Sequence, residues 1–214
     1  MVIRPLLVPS FGSINFLSGM ETLNAPISSS EPCRSHITND CDVFFAVSAP
    51  AEFVSVPVDA AVVLYFDPPE DGSRELPANA YQITCPNMMS KQHFRVWAER
   101  VTQMIRDGIM QTGLSAVDVM DLHAMLRGCD GRRLLAHVID YDDVNHPPVD
   151  MLRKLRFKNI FAWLFADDNI NLEHFAELGC LLEEVNPSAN YIRLCANIHQ
   201  ESSARLLLLG EPST

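Results

Sequence analysis

The chain has 214 residues, 48% of them apolar and 20% charged, which is enough for one large domain or two small ones. Its net charge of −11, with 16 scattered basic residues, argues against a nucleic-acid partner, because neutralising phosphates requires clustered Lys and Arg. No apolar run reaches the roughly 18 residues that span a bilayer, and the proline-broken start Met-Val-Ile-Arg-Pro-Leu-Leu-Val-Pro is not typical of a secretory leader. We therefore expect a cytoplasmic protein without a membrane span.

The cysteines agree with a reducing compartment, because they are dispersed along the chain and no pair has Cys-x-x-Cys spacing. Most of them lie within or beside apolar segments, so we expect buried thiols rather than disulfides or a zinc site. The six are Cys33, Cys41, Cys85, Cys129, Cys180 and Cys195.

The first part of the chain predicts short strands. Residues 1–42 give the weakest signal, because serine and proline crowd the stretch 25–32. The apolar runs at 43–47, 60–66 and 81–85 are β-branched or aromatic and are bounded by Pro, Gly or Asp, which indicates strands. The sequence Asp-Pro-Pro-Glu-Asp-Gly-Ser, between the second and third of these runs, predicts a turn-rich link.

The remainder of the chain predicts three helices and four strands. Apolar residues recur at helical spacing from Ser90 to about Thr112, leaving one apolar stripe and a charged back. The order of elements fits neither a simple β/α alternation nor an all-β chain, so we predict an α+β fold. The other predicted elements are a helix at 118–126 stopped by Gly128, strands at 133–139 and 159–166, a helix that Asn171 caps and Asn186-Pro187 ends, and strands at 191–196 and 205–209.

One segment carries information about ancestry. Residues 113–122 read Gly-Leu-Ser-Ala-Val-Asp-Val-Met-Asp-Leu and lie between two predicted helices. This segment resembles the loop of form Gly-Leu-x-Asn-x-Asp-x-x-Asp that FtsZ/tubulin-family GTPases insert into the nucleotide site of the next subunit. The residues Gly113, Leu114, Asp118 and Asp121 fit that pattern, and Ala116 stands where the family has asparagine.

The order of elements over residues 90–210 is also similar to that family, which has a long central helix, then this loop and a helix, then a small sheet domain. The resemblance implies an α/β-type remnant at 1–89, a central helix at 90–112 and an FtsZ/tubulin C-terminal-like α+β domain at 113–214. The strands at 60–66 and 81–85 resemble the last two strands of the family's nucleotide-binding domain, although the family has a full helix between them.

The family's phosphate-binding loop, Gly-Gly-Gly-Thr-Gly-Thr-Gly, has no counterpart here. Residues 1–59 contain only Gly12 and Gly19, seven residues apart. Such a loop holds phosphate with backbone N–H groups, which requires closely spaced glycines. We therefore expect neither GTPase activity nor a bound cofactor.

Two roles are compatible for Asp118 and Asp121. The resemblance implies that they polarise the water that attacks the γ-phosphate of the neighbouring subunit. The residues themselves favour helix capping, since Asp118 stands at an N-cap position and Asp121 three residues later. Ala116 cannot make the hydrogen bonds of the missing asparagine, so efficient catalysis in trans is not expected.

The resemblance and the missing phosphate loop together imply a non-catalytic FtsZ-like protein that acts as a protein-interaction module. It would present its loop to an FtsZ-type subunit, or to a second copy of itself, and so cap or modulate filament assembly. Two alternatives stay open: a structural homo-oligomer, and a small enzyme that uses Cys85 or a facing pair of His123 and His137. The acidic turns around Asp142 and Asp167 lack the alternating oxygen ligands of a calcium loop, so no metal site is expected.

Overall fold

Within the residues that the computed structural model describes, eight strands form one mixed sheet and four helices pack on it. The described residues are 14–18, 43–50, 53, 60–68, 72, 74–86, 89–111, 113–115, 117–144, 146–198 and 203–213. The elements are β1 (Ile14–Ser18), β2 (Val43–Val47), β3 (Val62–Phe66), β4 (Ala80–Thr84), α1 (Lys91–Met110), α2 (Val119–Arg127), β5 (Arg133–Tyr141), α3 (Val149–Leu152), β6 (Phe157–Ala166), α4 (Leu172–Val185), β7 (Tyr191–Ile198) and β8 (Ala204–Pro212).

The strand order is β1-β2-β3-β4-β5-β8-β6-β7. Neighbours from β1 to β5 are parallel, β8 is antiparallel to both β5 and β6, and β6 is parallel to β7. All strands except β8 therefore run in the same direction. This mixed sheet with its helices is an α+β architecture, as the order of predicted elements indicated.

The helices α1 and α2 cover one face of the sheet and enclose the first core. Ser90 caps α1, since its side chain accepts from the backbone N–H of His93. The apolar stripe predicted for α1 is buried, and each such side chain contributes about 1.5–3 kcal/mol relative to an exposed one. The first core contains Phe94, Val101 and Ile105 of α1, Leu122, Met125 and Leu126 of α2, and Leu64, Ile83, Ala136, Phe161 and Trp163 of the strands.

The helix α4 covers the opposite face of the C-terminal strands and encloses the second core. Asn171 caps α4, because its side-chain oxygen accepts from the N–H groups of Glu173 and His174. The strand β6 is buried on both faces, which explains its nearly continuous apolar sequence. The second core contains Leu178, Leu182 and Val185 of α4, Ile139 of β5, Phe157, Ile160 and Leu164 of β6, and Leu206 and Leu208 of β8.

A third, smaller apolar cluster lies under the link between β3 and β4, and no helix of the described residues contributes to it. It contains Phe44, Ala46, Ala49, Ala60, Val63, Tyr65 and Ala80. The link is held by Arg74, whose guanidinium lies over the ring of Tyr65, 4.3 Å from its centroid, and pairs with Asp67 at 2.6 Å. The turn-rich link predicted from the sequence is thus pinned to the sheet by a buried ion pair.

The predicted strands and helices of residues 43–214 are all present, with ends that differ by a few residues. Two elements were not predicted, namely β1 and the four-residue helix α3. Because β4 pairs with β5 over three residues, the strands of 1–89 and those of 113–214 belong to one sheet. The division at residues 89 and 112 stays a prediction.

Candidate functional site

The loop after α1 is fastened to the outermost strand, β7. The N–H of Leu114 donates to the carbonyl oxygen of Ala196 at 2.9 Å, and Gly113 forms an isolated antiparallel bridge with Asn197. The side chain of Asn197 donates to the carbonyl oxygen of Gln111 at 3.1 Å, at the C-terminal end of α1. A Cβ atom on Gly113 would overlap the Ala196 carbonyl oxygen, so this close approach requires glycine.

The two loop carboxylates form a capping box at the start of α2. The side chain of Asp118 accepts from the N–H of Asp121 at 3.0 Å, and the side chain of Asp121 accepts from the N–H of Asp118 at 3.3 Å. Arg193 of β7 approaches the Asp121 carboxylate at 3.6 Å. The predicted capping role is therefore confirmed, and Arg193 is a neighbour that the sequence did not indicate.

Apolar side chains are exposed on and beside this loop. Leu114 and Met120 are 40% and 67% exposed, and Met110 and Ile198, at the adjoining ends of α1 and β7, are 42% and 51% exposed. Asp118 is exposed beside them, whereas Ala116 lies outside the described residues. We call the set Met110, Leu114, Asp118, Met120, Asp121 and Ile198 the loop surface. Its combination of exposed apolar groups and carboxylates is typical of a protein contact site.

The carboxyl ends of the parallel strands, where open α/β sheets bind their ligands, carry a different arrangement. Directly after β3, Asp67 accepts from Arg74 at 2.6 and 2.7 Å and from the amide of Gln82 at 2.9 Å. Arg74 also donates to the carbonyl oxygens of Ala49 and Pro50, which follow β2. Asp67 and Gln82 are each only 2% exposed, so the network is internal.

In this network the guanidinium N–H groups of Arg74 donate to oxygen atoms of the protein itself. Phosphate requires unpaired N–H donors, usually from closely spaced glycines. No two glycines in the 214 residues are closer than three positions, and residues 48–61, which connect β2 to β3, contain none. In the described part of this edge, Arg74 joins the residues that follow β2 to Asp67, which follows β3.

The histidine pair proposed from the sequence is wrong, because the two rings lie on opposite faces of the sheet. His123 belongs to α2, which packs into the first core. The side chain of His137 points to the other face, since strand side chains alternate and Ala136 faces the first core. Its ring meets that of Phe157, in the second core, edge-on at 6.3 Å between centroids. Burial lowers the pKa of both histidines, and Arg127 lowers that of His123 further.

Cys85, the other candidate for an enzymatic role, lies in the same groove as His137. Cys85 and His137 both line a cavity of about 390 Å³ beside the end of β4. The Cys85 sulfur lies 3.6 Å from that of Met89, and the side chain is 7% exposed. Burial, together with the neighbouring Glu211, raises the pKa of another thiol, that of Cys129, to about 12, which suits a core residue rather than a nucleophile.

The acidic turns lie near each other but show no metal geometry. Asp142, Asp143, Asp167 and His174 line a polar cavity of about 400 Å³. Within the described parts of the chain, no group of three or more His, Cys, Asp or Glu side chains is placed to hold a metal ion. Among the same residues, no helix is long and apolar enough to cross a bilayer.

The fold is similar to that of FtsZ-type proteins of known structure, which confirms at the level of fold the resemblance that the sequence indicated. A single-substitution mutant of FtsZ from M. jannaschii is similar over 79% of this chain and 65% of its own, with 17% identity and a TM-score of 0.57. An empty FtsZ dimer from the same organism is similar over 80% and 63%, with 16% identity and a TM-score of 0.52. A weaker likeness, with a TM-score of 0.49 and 12% identity over 82% and 62%, is to CetZ from Methanosaeta thermophila strain DSM 6194.

The chain spans less than two thirds of the length of these solved structures. No family model matches it, and no curated protein matches its sequence. At this level of identity the likeness is one of fold.

Proposed function

We propose that this chain is a non-catalytic interaction module of FtsZ-like filaments, and that it binds an FtsZ-type subunit through the loop surface. The observation that carries the proposal is the way in which the loop is presented. Its start is fixed to β7 through Leu114, its end is fixed by the capping box of Asp118 and Asp121, and apolar side chains remain exposed between and beside these anchors. A loop held in this way loses little conformational freedom when it binds.

The composition of the loop surface suits a partner with a concave site. Leu114 and Met120 offer apolar area, and Asp118 offers a carboxylate whose second role is to cap α2. Because Arg193 lies beside Asp121, the negative charge of the loop is concentrated at Asp118. We therefore expect the partner to contribute an apolar pocket bordered by cationic or N–H donor groups.

Two features support the non-catalytic part of the proposal. The strand ends after β2 and β3 are occupied by the Asp67–Arg74 clamp, whose acceptor oxygens disfavour an anion. Alanine at position 116 has no side-chain donor or acceptor that could orient a water molecule. A chain that offers the loop but has no nucleotide-binding surface for the next subunit would occupy one end of a filament. Further subunits could then not add at that end.

The test is to titrate the purified chain into M. jannaschii FtsZ and to measure GTP turnover together with the pelleted filament fraction. A cap acts at ends, so both quantities should fall at a ratio well below one chain per FtsZ subunit. Unchanged turnover and pellet at every ratio would exclude the proposal.

Three variants locate the contact. Leu114→Asp and Met120→Asp place a charge on the loop surface and should each weaken the effect at least tenfold. Leu172→Asp alters a leucine on α4, on the opposite face, that is 71% exposed and so comparable with Met120 at 67%, and it should leave the effect unchanged. Equal inhibition by all three variants would show that the contact lies elsewhere.

A second copy of the chain is the alternative partner. The strand β7 is at the edge of the sheet, and within the described residues its outer side is bridged by the loop only near Ala196. An unpaired strand edge favours pairing with another chain. Light scattering across a concentration series distinguishes self-association from binding to an FtsZ-type subunit. If the chain is monomeric at all concentrations, only the FtsZ-type partner is left.

A further inference from the structure

The groove that contains Cys85 lies far from the loop surface. It is bordered by Cys85, Trp97 of α1, His137 and Val138 of β5, and Met151 and Lys154 in and after α3. We call it the β5 groove. Trp97 and the last residue of α1 are 13 positions apart, so the groove and the loop surface are separated by roughly 20 Å along the helix. Its volume of about 390 Å³ is within the range of ligand-binding pockets.

The floor of the groove is a stretch of β5 that, among the described residues, has no strand partner on the β4 side. On the β4 side, the pairing of β5 ends at Leu135 within the described residues, while β5 continues to Tyr141. The carbonyl oxygen of Leu134 faces β4, because it accepts from the Thr84 hydroxyl at 3.0 Å. The backbone N–H and C=O groups of successive residues in a strand point alternately to its two sides. Those of Val138, four residues after Leu134, therefore also face the β4 side, where β4 has already ended. An open edge of this kind accepts an extended peptide as an added strand.

The two walls come from opposite faces of the sheet. Trp97 packs against the first core, and Leu155 packs against the second. Side chains of an added strand would point alternately to these two faces, and each face offers an apolar wall. Met151 is 50% exposed at the rim, which leaves its side chain available for contact. The groove therefore suits a segment with apolar side chains at successive positions.

The positive charge of Lys154 at the rim of the β5 groove indicates one further feature of the ligand. Lys154 borders the groove, and within the described residues no carboxylate lies within ion-pair distance of it. A cation beside an apolar groove favours a ligand that carries a carboxylate. Burial lowers the pKa of His137, so its ring stays neutral at pH 7 and adds no second charge.

We propose that the β5 groove binds an extended apolar peptide segment of a partner protein, which adds to β5 as a parallel or antiparallel strand in continuation of β4 and places a carboxylate near Lys154. The stretch from residue 136 to 141, which has no partner on the β4 side among the described residues, is about 20 Å long, and this matches a strand of five or six residues. This site is independent of the loop surface, so either can be present without the other.

The probe is a set of acetylated pentapeptides built from Val, Ile, Leu and Phe and ending in Asp, tested by titration calorimetry and by amide exchange of the isotope-labelled chain. At least one peptide should bind and slow exchange of the Val138 amide tenfold or more. The same peptide with N-methyl groups on alternate residues keeps its apolar area but loses donors, and it should bind at least tenfold more weakly. Equal binding of both forms, or no binding by any peptide, would overturn the proposal.

Protein variants provide the second arm. Lys154→Glu should weaken binding at least tenfold, and Met151→Asp should do the same by charging the rim. Met120→Asp, on the loop surface, is the matched control and should bind the peptide like the unaltered chain. If Lys154→Glu binds as tightly as the control while folding normally, the assigned carboxylate contact is wrong.

Discussion

The backbone N–H of Leu114 points at the carbonyl oxygen of Ala196, 2.9 Å away, and this bond helps to join the end of the central helix to the edge strand. Gly113, the preceding residue, passes so close to the same carbonyl that a side chain does not fit. The sequence suggested this glycine as part of a family pattern, and the structure supplies the physical reason for it.

We predict that Gly113→Ala destabilises the chain by about 1–3 kcal/mol, because the added methyl group must push the loop away from β7. Urea unfolding measures the loss, and faster exchange of the Leu114 amide would show that the loop has moved. A fully stable variant with a protected Leu114 amide would contradict this account.

The capping box gives a prediction that separates stability from binding. Asp118→Ala should cost about 0.5–2 kcal/mol, because the N–H of Asp121 loses its acceptor at the start of α2. Asp118→Ser keeps a capping oxygen but removes the charge, so its unfolding free energy should stay close to that of the original chain. If Asp118→Ser still loses its effect on FtsZ turnover, the carboxylate itself contributes to the contact.

Two helical glycines are predicted to respond oppositely to the same substitution. Gly108 of α1 lies against the indole of Trp163, and an added Cβ would overlap the ring. Gly108→Ala should therefore destabilise by about 1–3 kcal/mol despite the better helix propensity of alanine. For Gly179 of α4 the nearest atom to an added Cβ is Leu194 Cδ2 at 3.8 Å, so Gly179→Ala should stabilise by about 0.5–1 kcal/mol. Thermal unfolding of the two variants compares them directly.

The clamp between β3 and β4 should behave as a coupled pair. Arg74→Met leaves the buried Asp67 carboxylate without its cation and should cost about 3–5 kcal/mol. Replacing both residues, as Arg74→Met with Asp67→Leu, should recover much of that loss, which a double-mutant cycle in urea would show. The exposed pair of Arg95 and Glu99 is the control, and removing it should change stability by less than about 1 kcal/mol.

The sequence predicted well those features that depend on local pattern. The strands β2 and β3 are continuous apolar runs with proline or aspartate at their borders, and Asn171 and Asp118 are capping residues at the expected places. The helix α3 has only four residues, which is too short for a periodic signal.

Features that depend on distant pairing were not predictable in the same way. The strand β8 lies between β5 and β6, so that Leu135 pairs with Gly210 across 75 positions, and no local pattern encodes that choice. The error over His123 and His137 has the same origin, because periodicity shows that an element has an apolar face but not which side of the sheet that face covers. Asn197 offered a usable signal, since an amide within an apolar strand indicates a specific hydrogen bond.

Buried His137 predicts how stability depends on pH. Burial lowers its pKa in the folded chain, whereas the unfolded chain has an ordinary histidine pKa of about 6.5. As the pH falls below about 6.5, the unfolded state therefore binds more protons than the folded state, and the free energy of unfolding decreases. The contribution of His137 is fully present above that pH and is lost as the pH falls towards its folded pKa.

His137→Phe should reduce this dependence, because phenylalanine does not titrate and can keep the edge-on contact with Phe157. Urea unfolding at several values between pH 7.5 and about 5 is the measurement, since Asp and Glu of the unfolded chain titrate mainly below this range. One histidine accounts for a slope of at most about 1.4 kcal/mol per pH unit.

A residual slope in His137→Phe is expected from His123, because burial also lowers the pKa of His123. The stability of the double variant, which adds His123→Phe, should therefore depend on pH even less. Identical slopes for the original chain and His137→Phe would show that the imidazole is solvated in the folded state.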